Sequence, residues 1–386
     1  MREGSGPLDE DTCVACGSHK LVAYSHFPSF RRVSSDCRPY GAGGKLARCG
    51  DCGGVQKPND LAWREDCAVI YNQYGLYGKA ETVDQAIFDA SAGHMAERCQ
   101  VILRAAREEI AGQIGRGVID YGCGKGAMVR AFAREYPGAA IDGLDTTRQN
   151  QTILSQMTGF GEFFIAGHKI VDRSWGLVTM IHCLEHIPNP LDALTEIAAA
   201  MKENGRLLIQ VPRADENPFD ILVADHRTHF SEMTLTHLLR RAGFEVVFLS
   251  TDIVPSEITL IAKFTNTAAE SVSGGVEKDF VPKHLEWLST MIAMIKNDSE
   301  RSLGVLGSSI AANWLVPHAP DQFSHILDED PDKHGELMHG CRIIAPNEAP
   351  RDLSVCLPFA PRIARRIAER LSELPLNFIY PGDGVW

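Results

Sequence analysis

Three groups of residues have the types and spacing to do chemistry. The first is Asp120-Tyr121-Gly122-Cys123-Gly124-Lys125-Gly126, with a second acid, Asp145, farther on. Glycines at alternate positions let a chain turn sharply and let a ligand approach the backbone without meeting a Cβ. The second group is a pair of Cys-x-x-Cys spacings, Cys13/Cys16 and Cys49/Cys52, each followed directly by a glycine, Gly17 and Gly53. Four thiolates from two such knuckles suit a tetrahedral ion. The third is a set of histidines and acids: His182, Glu185 and His186 in one segment, Asp225, His226 and His229 in another. A histidine oriented by a carboxylate can move a proton near neutral pH.

The elements around these groups position them. Gly117–Tyr121 reads as a strand, Gly126–Tyr136 as a helix and Ala140–Leu144 as the next strand, so the glycine loop leaves the carboxyl edge of a sheet. Asp145, at the end of the second strand, can accept hydrogen bonds from two ribose hydroxyls. An acid at the end of the first strand, Asp120, is unusual in a dinucleotide site; Asp-x-Gly-x-Gly-x-Gly is the pattern of an S-adenosyl-L-methionine (SAM) site, with Asp120 toward the methionine end. Asp120, Gly122, Gly124, Gly126 and Asp145 are therefore the candidate cofactor residues. Binding of NAD is the alternative, and a triphosphate loop is excluded because no Gly-Lys-Ser/Thr follows. The run Leu177–Ile181 reads as a further strand, and His182, Glu185 and His186 leave it beside the same crevice, His182 as a candidate cofactor contact. Arg206–Val211 is the next strand. The adenine contacts are expected within Phe160–Trp175.

Apolar strands alternating with amphipathic helices from about residue 80 to 265 imply a mainly parallel sheet covered on both faces, an α/β fold. A first helix is expected over Ala96–Ile114. The polar, small-residue stretch Thr265–Gly275 reads as a linker. Beyond it come a helix, His284–Lys296, and strands near Leu303–Leu306, His325–Leu327 and Leu353–Leu357, a second small α/β unit. The N-terminal unit, with six of the 11 cysteines, has little apolar core and needs a staple. The divisions expected are 1–75, 76–266 and 267–386. Cys13, Cys16, Cys49 and Cys52 are expected to hold structural zinc, the alternatives being a redox pair or coincidence, and Cys37 is a spectator.

Composition narrows the partners. A net charge of −12 argues against a general grip on nucleic acid, and no apolar run approaches a membrane span. The acidic start, MREGSGPLDEDT, lacks the apolar stretch of a signal peptide, so a cytoplasmic location is expected.

Taken together, the motifs resemble class I SAM-dependent methyltransferases, and within them the three-domain C-methyltransferases of nucleotide-linked deoxysugars. That family joins a zinc-binding N-terminal domain, a Rossmann-like SAM core and a small Rossmann-like C-terminal α/β domain. Cys49-Gly50-Asp51-Cys52-Gly53-Gly54-Val55-Gln56 is similar to the family's Cys-x-x-Cys-Gly-x-x-Gln ending. The segment His325–Gly335 and then Gly340–Pro346 is similar to its C-terminal Asp-x-Asn-Pro-x-Lys-x-Gly and Gly-x-x-Ile-x-x-Pro pattern. The resemblance implies a structural zinc ion, SAM, a small-molecule acceptor in the form of a nucleotide-linked sugar, and a C-terminal unit that positions it.

The family's Tyr, Glu-His and Tyr-Phe-Ser correspond here to Val223, Asp225-His226 and His229-Phe230-Ser231, so His226 is kept and both tyrosines are lost. The resemblance makes His226 the base for methylation at carbon beside a keto group, with Asp225 beside it and His186 in the same pocket. Tyr71–Tyr77 falls where the family places substrate-contacting tyrosines. Ser231 also reads as the cap of the helix running through Leu239. Transfer to oxygen or nitrogen of a sugar or other small molecule is the alternative; an NAD-dependent sugar-modifying enzyme is a second.

Overall fold

The computed structural model describes residues 11–77, 84, 86–89, 94–167, 173–265, 267, 275–297 and 302–382. Its centre is a seven-stranded sheet. Along the chain the strands are β1 (Val118–Tyr121), β2 (Ile141–Asp145), β3 (Phe160–Ile165), β4 (Trp175–Ile181), β5 (Met201–Pro212), β6 (Phe244–Ser250) and β7 (Glu257–Phe264). Their spatial order is 3-2-1-4-5-7-6. The strands β3, β2, β1, β4 and β5 are parallel, whereas β7 runs antiparallel to both β5 and β6. Order reverses at β1, between β2 and β4, which opens a crevice at the carboxyl ends of those strands. The continuous apolar runs of β1, β4 and β5 are buried because helices cover both faces, giving one core around Ile119, Val178 and Ile209 and another around Val118, Leu177 and Leu208.

The long first helix expected over Ala96–Ile114 is broken. His94–Glu97 is a strand paired with Ala86–Asp89, and the helix proper is Arg98–Ala105. A turn at Arg107–Ile110 follows, then a tighter 3-10 stretch, Ala111–Arg116. Glycines at 112 and 115 lower helix propensity at that end. The other strands and helices fall within a few residues of expectation. The linker expected at Thr265–Gly275 lies largely outside the described residues.

The N-terminal unit is not self-contained. Its four-stranded sheet joins Leu21–Ala23, Ala47–Cys49 and Val55–Gln56 to Thr228–His229, a strand from the far side of the central domain. Its helix Leu61–Tyr77 runs across the division expected after residue 75. A shared apolar core then ties Phe27, Val33 and Val55 to Phe219–Val223 and to Trp287, Trp314 and Ile326 of the C-terminal unit. That unit is a six-stranded sheet, all parallel except its edge strand Leu337–Met338. The consequence for function is that segment 219–230 is clamped between all three units.

Candidate active site

The glycine loop after β1 is held by its own backbone. Gly122 N and Cys123 N both donate to Leu144 O, at 2.8 and 3.0 Å, which ties the loop to β2. Gly126, at φ +85°, begins the helix Ala127–Glu135, and a Cβ there would come within 2.6 Å of the Met157 sulfur. Gly124, at φ +48°, is different: its nearest neighbour would be 4.0 Å away, so its missing side chain leaves open space. Its N–H donates to Asp145 Oδ2 at 2.9 Å, placing the β2 acid across the loop mouth. Asp120 is buried and accepts from Thr179 Oγ1 at 2.6 Å. Burial pushes its carboxyl up to about 7, the first cause, and Asp145 adds to the rise against the Thr179 bond.

The segment after β4 turns through His182, whose φ is +48°. Its two ring nitrogens face Glu185 at 3.2 Å and Glu257 at 2.7 Å. Burial opposes the charged ring, but Glu257 and then Glu185 outweigh it and raise His182 to about 9. Both ring nitrogens of this expected cofactor contact thus face carboxylates of the protein.

The remaining histidines form a buried cluster. The expected Asp225–His226 pairing does not occur. His226 Nδ1 meets Asp220 Oδ1 at 2.7 Å, and the other Asp220 oxygen meets His229 Nδ1 at 2.6 Å. Asp225 faces away, accepting from Ser35 N at 2.9 Å and lying 3.3 Å from His186 Nδ1. Asp225 lies in a turn closed by His226 N to Val223 O at 3.2 Å, and the two side chains leave it toward different partners. Burial raises both acids first, but the facing histidines hold Asp220 and Asp225 well below the usual carboxylate range. His186 packs edge-on against His226, ring centres 4.7 Å apart, and Tyr71 OH lies 3.3 Å from its Nδ1. Of the expected tyrosines only Tyr71 is seen at the site; the side chains of 74–77 lie outside the described residues.

Two partners of this cluster escaped the sequence reading. Asp220 lies six residues before His226 and is brought back by a 3-10 turn, Asp220–Leu222. Lys57, fully buried, donates to His226 O at 3.1 Å and contacts His229 Nε2 at 2.9 Å. A polar residue directly after the Val55–Gln56 strand was the only signal for it. Ser231, by contrast, caps the helix Glu232–Arg241 with Thr234 in a reciprocal capping box, as expected.

The four cysteines converge: Cys13 and Cys52 sulfurs are 3.5 Å apart, Cys16 and Cys49 3.6 Å, and all four lie within 4.8 Å of one another. Four sulfurs about 2.3 Å from a tetrahedral ion would be separated by about 3.8 Å, so the set fits zinc closely. Amide hydrogens of Asp51 and Gly54 point at the Cys49 and Cys52 sulfurs.

Residues 92–249 match a family profile described as a methyltransferase domain. With the crevice at β1 and β4, the glycine loop and Asp145, this defines a class I SAM-dependent methyltransferase domain. Among curated proteins, the ubiquinone biosynthesis O-methyltransferase of Vibrio parahaemolyticus is 30% identical over 108 residues, 26% of this chain and 45% of that protein. Its counterpart in Vibrio cholerae is 28% identical over 108 residues, 26% of this chain and 43% of that protein. The chain thus spans under half the length of these relatives. Among solved structures, a SAM-dependent methyltransferase of Clostridium acetobutylicum has a TM-score of 0.37 at 11% identity, over 52% of this chain and 99% of that one. The plantazolicin methyltransferase BpumL in complex with SAH has a TM-score of 0.36 at 12% identity, over 44% of this chain and 84% of that one. Among the described residues no helix is long and apolar enough to cross a membrane.

Proposed function

We propose that this protein transfers a methyl group from SAM to a nucleotide-linked sugar, at carbon beside a keto group, with His226 as the base. The observation that carries the reading is the buried Asp220–His226 pair, 2.7 Å apart, next to the segment that leaves the cofactor strand β4. Bound SAM supplies an electrophilic methyl group on a sulfonium. Asp145 would accept from the ribose hydroxyls, Gly124 would leave room for the ligand, and Asp120 would face the methionine end. Asp220 holds His226 by Nδ1, which leaves Nε2 to take a proton from the acceptor. His186, backed by Asp225, would orient the acceptor's oxygen. The resemblance of the three-unit layout to the deoxysugar C-methyltransferases supports the sugar. Cys13, Cys16, Cys49 and Cys52 would hold one structural zinc ion, and a 1:1 metal content lost in Cys52→Ser would bear this out.

A second reading, transfer to oxygen, is favoured by the curated relatives, which are O-methyltransferases. The two part in a simple assay. Nucleotide-linked keto sugars are incubated with SAM in deuterated water, and S-adenosylhomocysteine and carbon-bound deuterium are followed. Carbon methylation predicts exchange beside the carbonyl that His226→Gln abolishes, with turnover down by about 10²–10⁴-fold. Turnover without exchange, surviving H226Q, would move the assignment to oxygen; no turnover across the panel would remove the sugar.

A further inference from the structure

We infer that Lys57 of the N-terminal unit is a positioning residue for the His226 base, acting through His229 and Asp220. This rests on the reading of His226 just given. Its basis is a buried chain of four side chains whose donors and acceptors can be counted. Lys57 Nζ lies 2.9 Å from His229 Nε2; His229 Nδ1 lies 2.6 Å from Asp220 Oδ2; Asp220 Oδ1 lies 2.7 Å from His226 Nδ1. None of the four is more than 5% exposed.

An ammonium has only donors and an ionised carboxylate only acceptors. A charged Lys57 therefore makes Nε2 of His229 the acceptor, which puts that ring's proton on Nδ1, where Asp220 accepts it. Asp220 spends its other oxygen on His226 Nδ1–H, and His226 is left with Nε2 unprotonated. Every proton in the chain is fixed from the lysine end. Charge balances too: one ammonium and one carboxylate sit with two neutral rings, so a proton taken up by His226 is the single added charge. Without Lys57, His229 could turn its proton to Nε2 or take a second one, and Asp220 would lose a fixed donor.

The ammonium form that fixes the chain prevails below neutral pH. Burial brings Lys57 down to about 7, against the pull of Asp220 and Asp225. Burial first, then Lys57, brings His229 down to about 4, against Asp220. The other charged or titratable groups facing the chain are Arg32 and Cys67 near Lys57, Glu185 and His186 near His226, and His284 near Asp220 and His229. None of these stands between Lys57 and His229.

Lys57 follows the strand Val55–Gln56, which pairs with Thr228–His229, and that strand leaves the Cys49/Cys52 knuckle. The cysteine-bearing unit thus reaches the reacting group through one side chain, which gives a reason for it to be built into this domain.

The test is a pH titration of the full chain labelled with ¹⁵N-histidine, reading ring-nitrogen shifts, in wild type, Lys57→Met and Lys57→Arg. Signals are assigned with His226→Gln and His229→Gln. In the wild type the neutral form of each ring carries its proton on Nδ1 at pH 6.5, where Lys57 is mostly ammonium. In K57M, which keeps the side chain's bulk, the midpoint of His229 rises by about one pH unit or more, a tenfold change in proton affinity, and His226 shows mixed tautomers. K57R restores much of the wild-type pattern. Should K57M not fold, Lys57→Gln, which keeps an N–H donor without charge, is read by the His229 midpoint alone, which should rise in the same direction. Unchanged ring shifts and midpoints in the uncharged variant would overturn the inference and leave Lys57 a packing residue. SAM binding, measured beside it by calorimetry, is a separate readout: its absence in the wild type would fail the methyltransferase reading and leave the ring titration interpretable.

Discussion

The molecule contains two sheets whose five parallel strands follow the same order, and the loops at their crevices differ. In the central sheet β1 ends at Gly122, whose N–H is tied to Leu144 O at 2.8 Å, and Asp145 follows Leu144. In the C-terminal sheet Leu303–Leu306 ends at Gly307, whose N–H is tied to Leu327 O at 2.7 Å, and Asp328 follows Leu327. Each acid accepts a loop N–H at 2.9 Å, from Gly124 in one and Ser308 in the other. The next contacts differ. Asp328 also takes the Ser308 hydroxyl, Asp330 N at 3.0 Å and Lys333 at 3.4 Å, and is buried. Asp145 is half-buried, takes among the described residues only the neighbouring Thr146 N–H and hydroxyl besides, at 2.6 and 3.2 Å, and its loop donor Gly124 has no side chain where the donor Ser308 has one. Burial raises Asp328 first, but the Ser308 bond and Lys333 bring it below the usual carboxylate range, as expected of an acid that serves structure. One order of parallel strands can therefore carry an open loop or a packed joint, and two or three loop residues decide which.

The sharpest way to break this contrast is at the loop glycines. Gly126→Val forces a branched side chain into φ +85° and against Met157 and Leu154 within 2.7 Å, so we expect a loss of about 3 kcal/mol or more and no SAM binding. Gly307→Ala, at φ +88° with its nearest contact at 3.6 Å, should cost about 1–2 kcal/mol and leave SAM binding intact. Thermal unfolding and calorimetry read both.

The paired acids give the next effect. Asp328→Ala should lower unfolding stability by about 1–3 kcal/mol without touching SAM affinity, because it strips Ser308 and Lys333 of their acceptor. An effect of D328A on SAM affinity would erase the contrast.

A smaller effect is read in pH. Asp120 is raised to about 7 in the folded protein, so folding takes up a proton between the unfolded carboxylate range and pH 7. Its contribution to stability is present below that range and declines as pH rises toward 7. Asp120→Asn should flatten this slope. SAM, cationic at its methionine end, should bind more tightly as Asp120 ionises, by up to about tenfold between pH 6 and 8, and not in D120N. Asp328 has the opposite sign: its contribution is lost as pH falls below the ordinary carboxylate range.

The contrast also explains what the sequence could and could not say. The glycine loop is contiguous, and the coming together of Asp120, Gly122, Gly124 and Asp145 could be read from spacing because one turn and two neighbouring strands carry them all. The acceptor side proposed here is assembled from Ser35, Lys57, Tyr71, His186, Asp220 and His226, side chains far apart in the chain. Asp225 sits next to His226 in sequence and was the natural partner to expect, yet the turn at Ala224–Asp225 leaves it facing His186 and a 3-10 turn brings Asp220 instead. The strand Thr228–His229 was invisible for the same reason: two residues pair with an N-terminal sheet, a long-range contact that no local pattern records. His182 was read from its position after β4, whereas Glu257, which claims its ring, comes from β7.

The most direct measurement is a calorimetric titration of the full chain with SAM, alongside Asp145→Ala. The account predicts 1:1 binding at sub-millimolar affinity, weakened by about tenfold or more when the acid that faces Gly124 is removed. Absence of binding, or equal affinity in the two proteins, would contradict the assignment of the open crevice as the cofactor site.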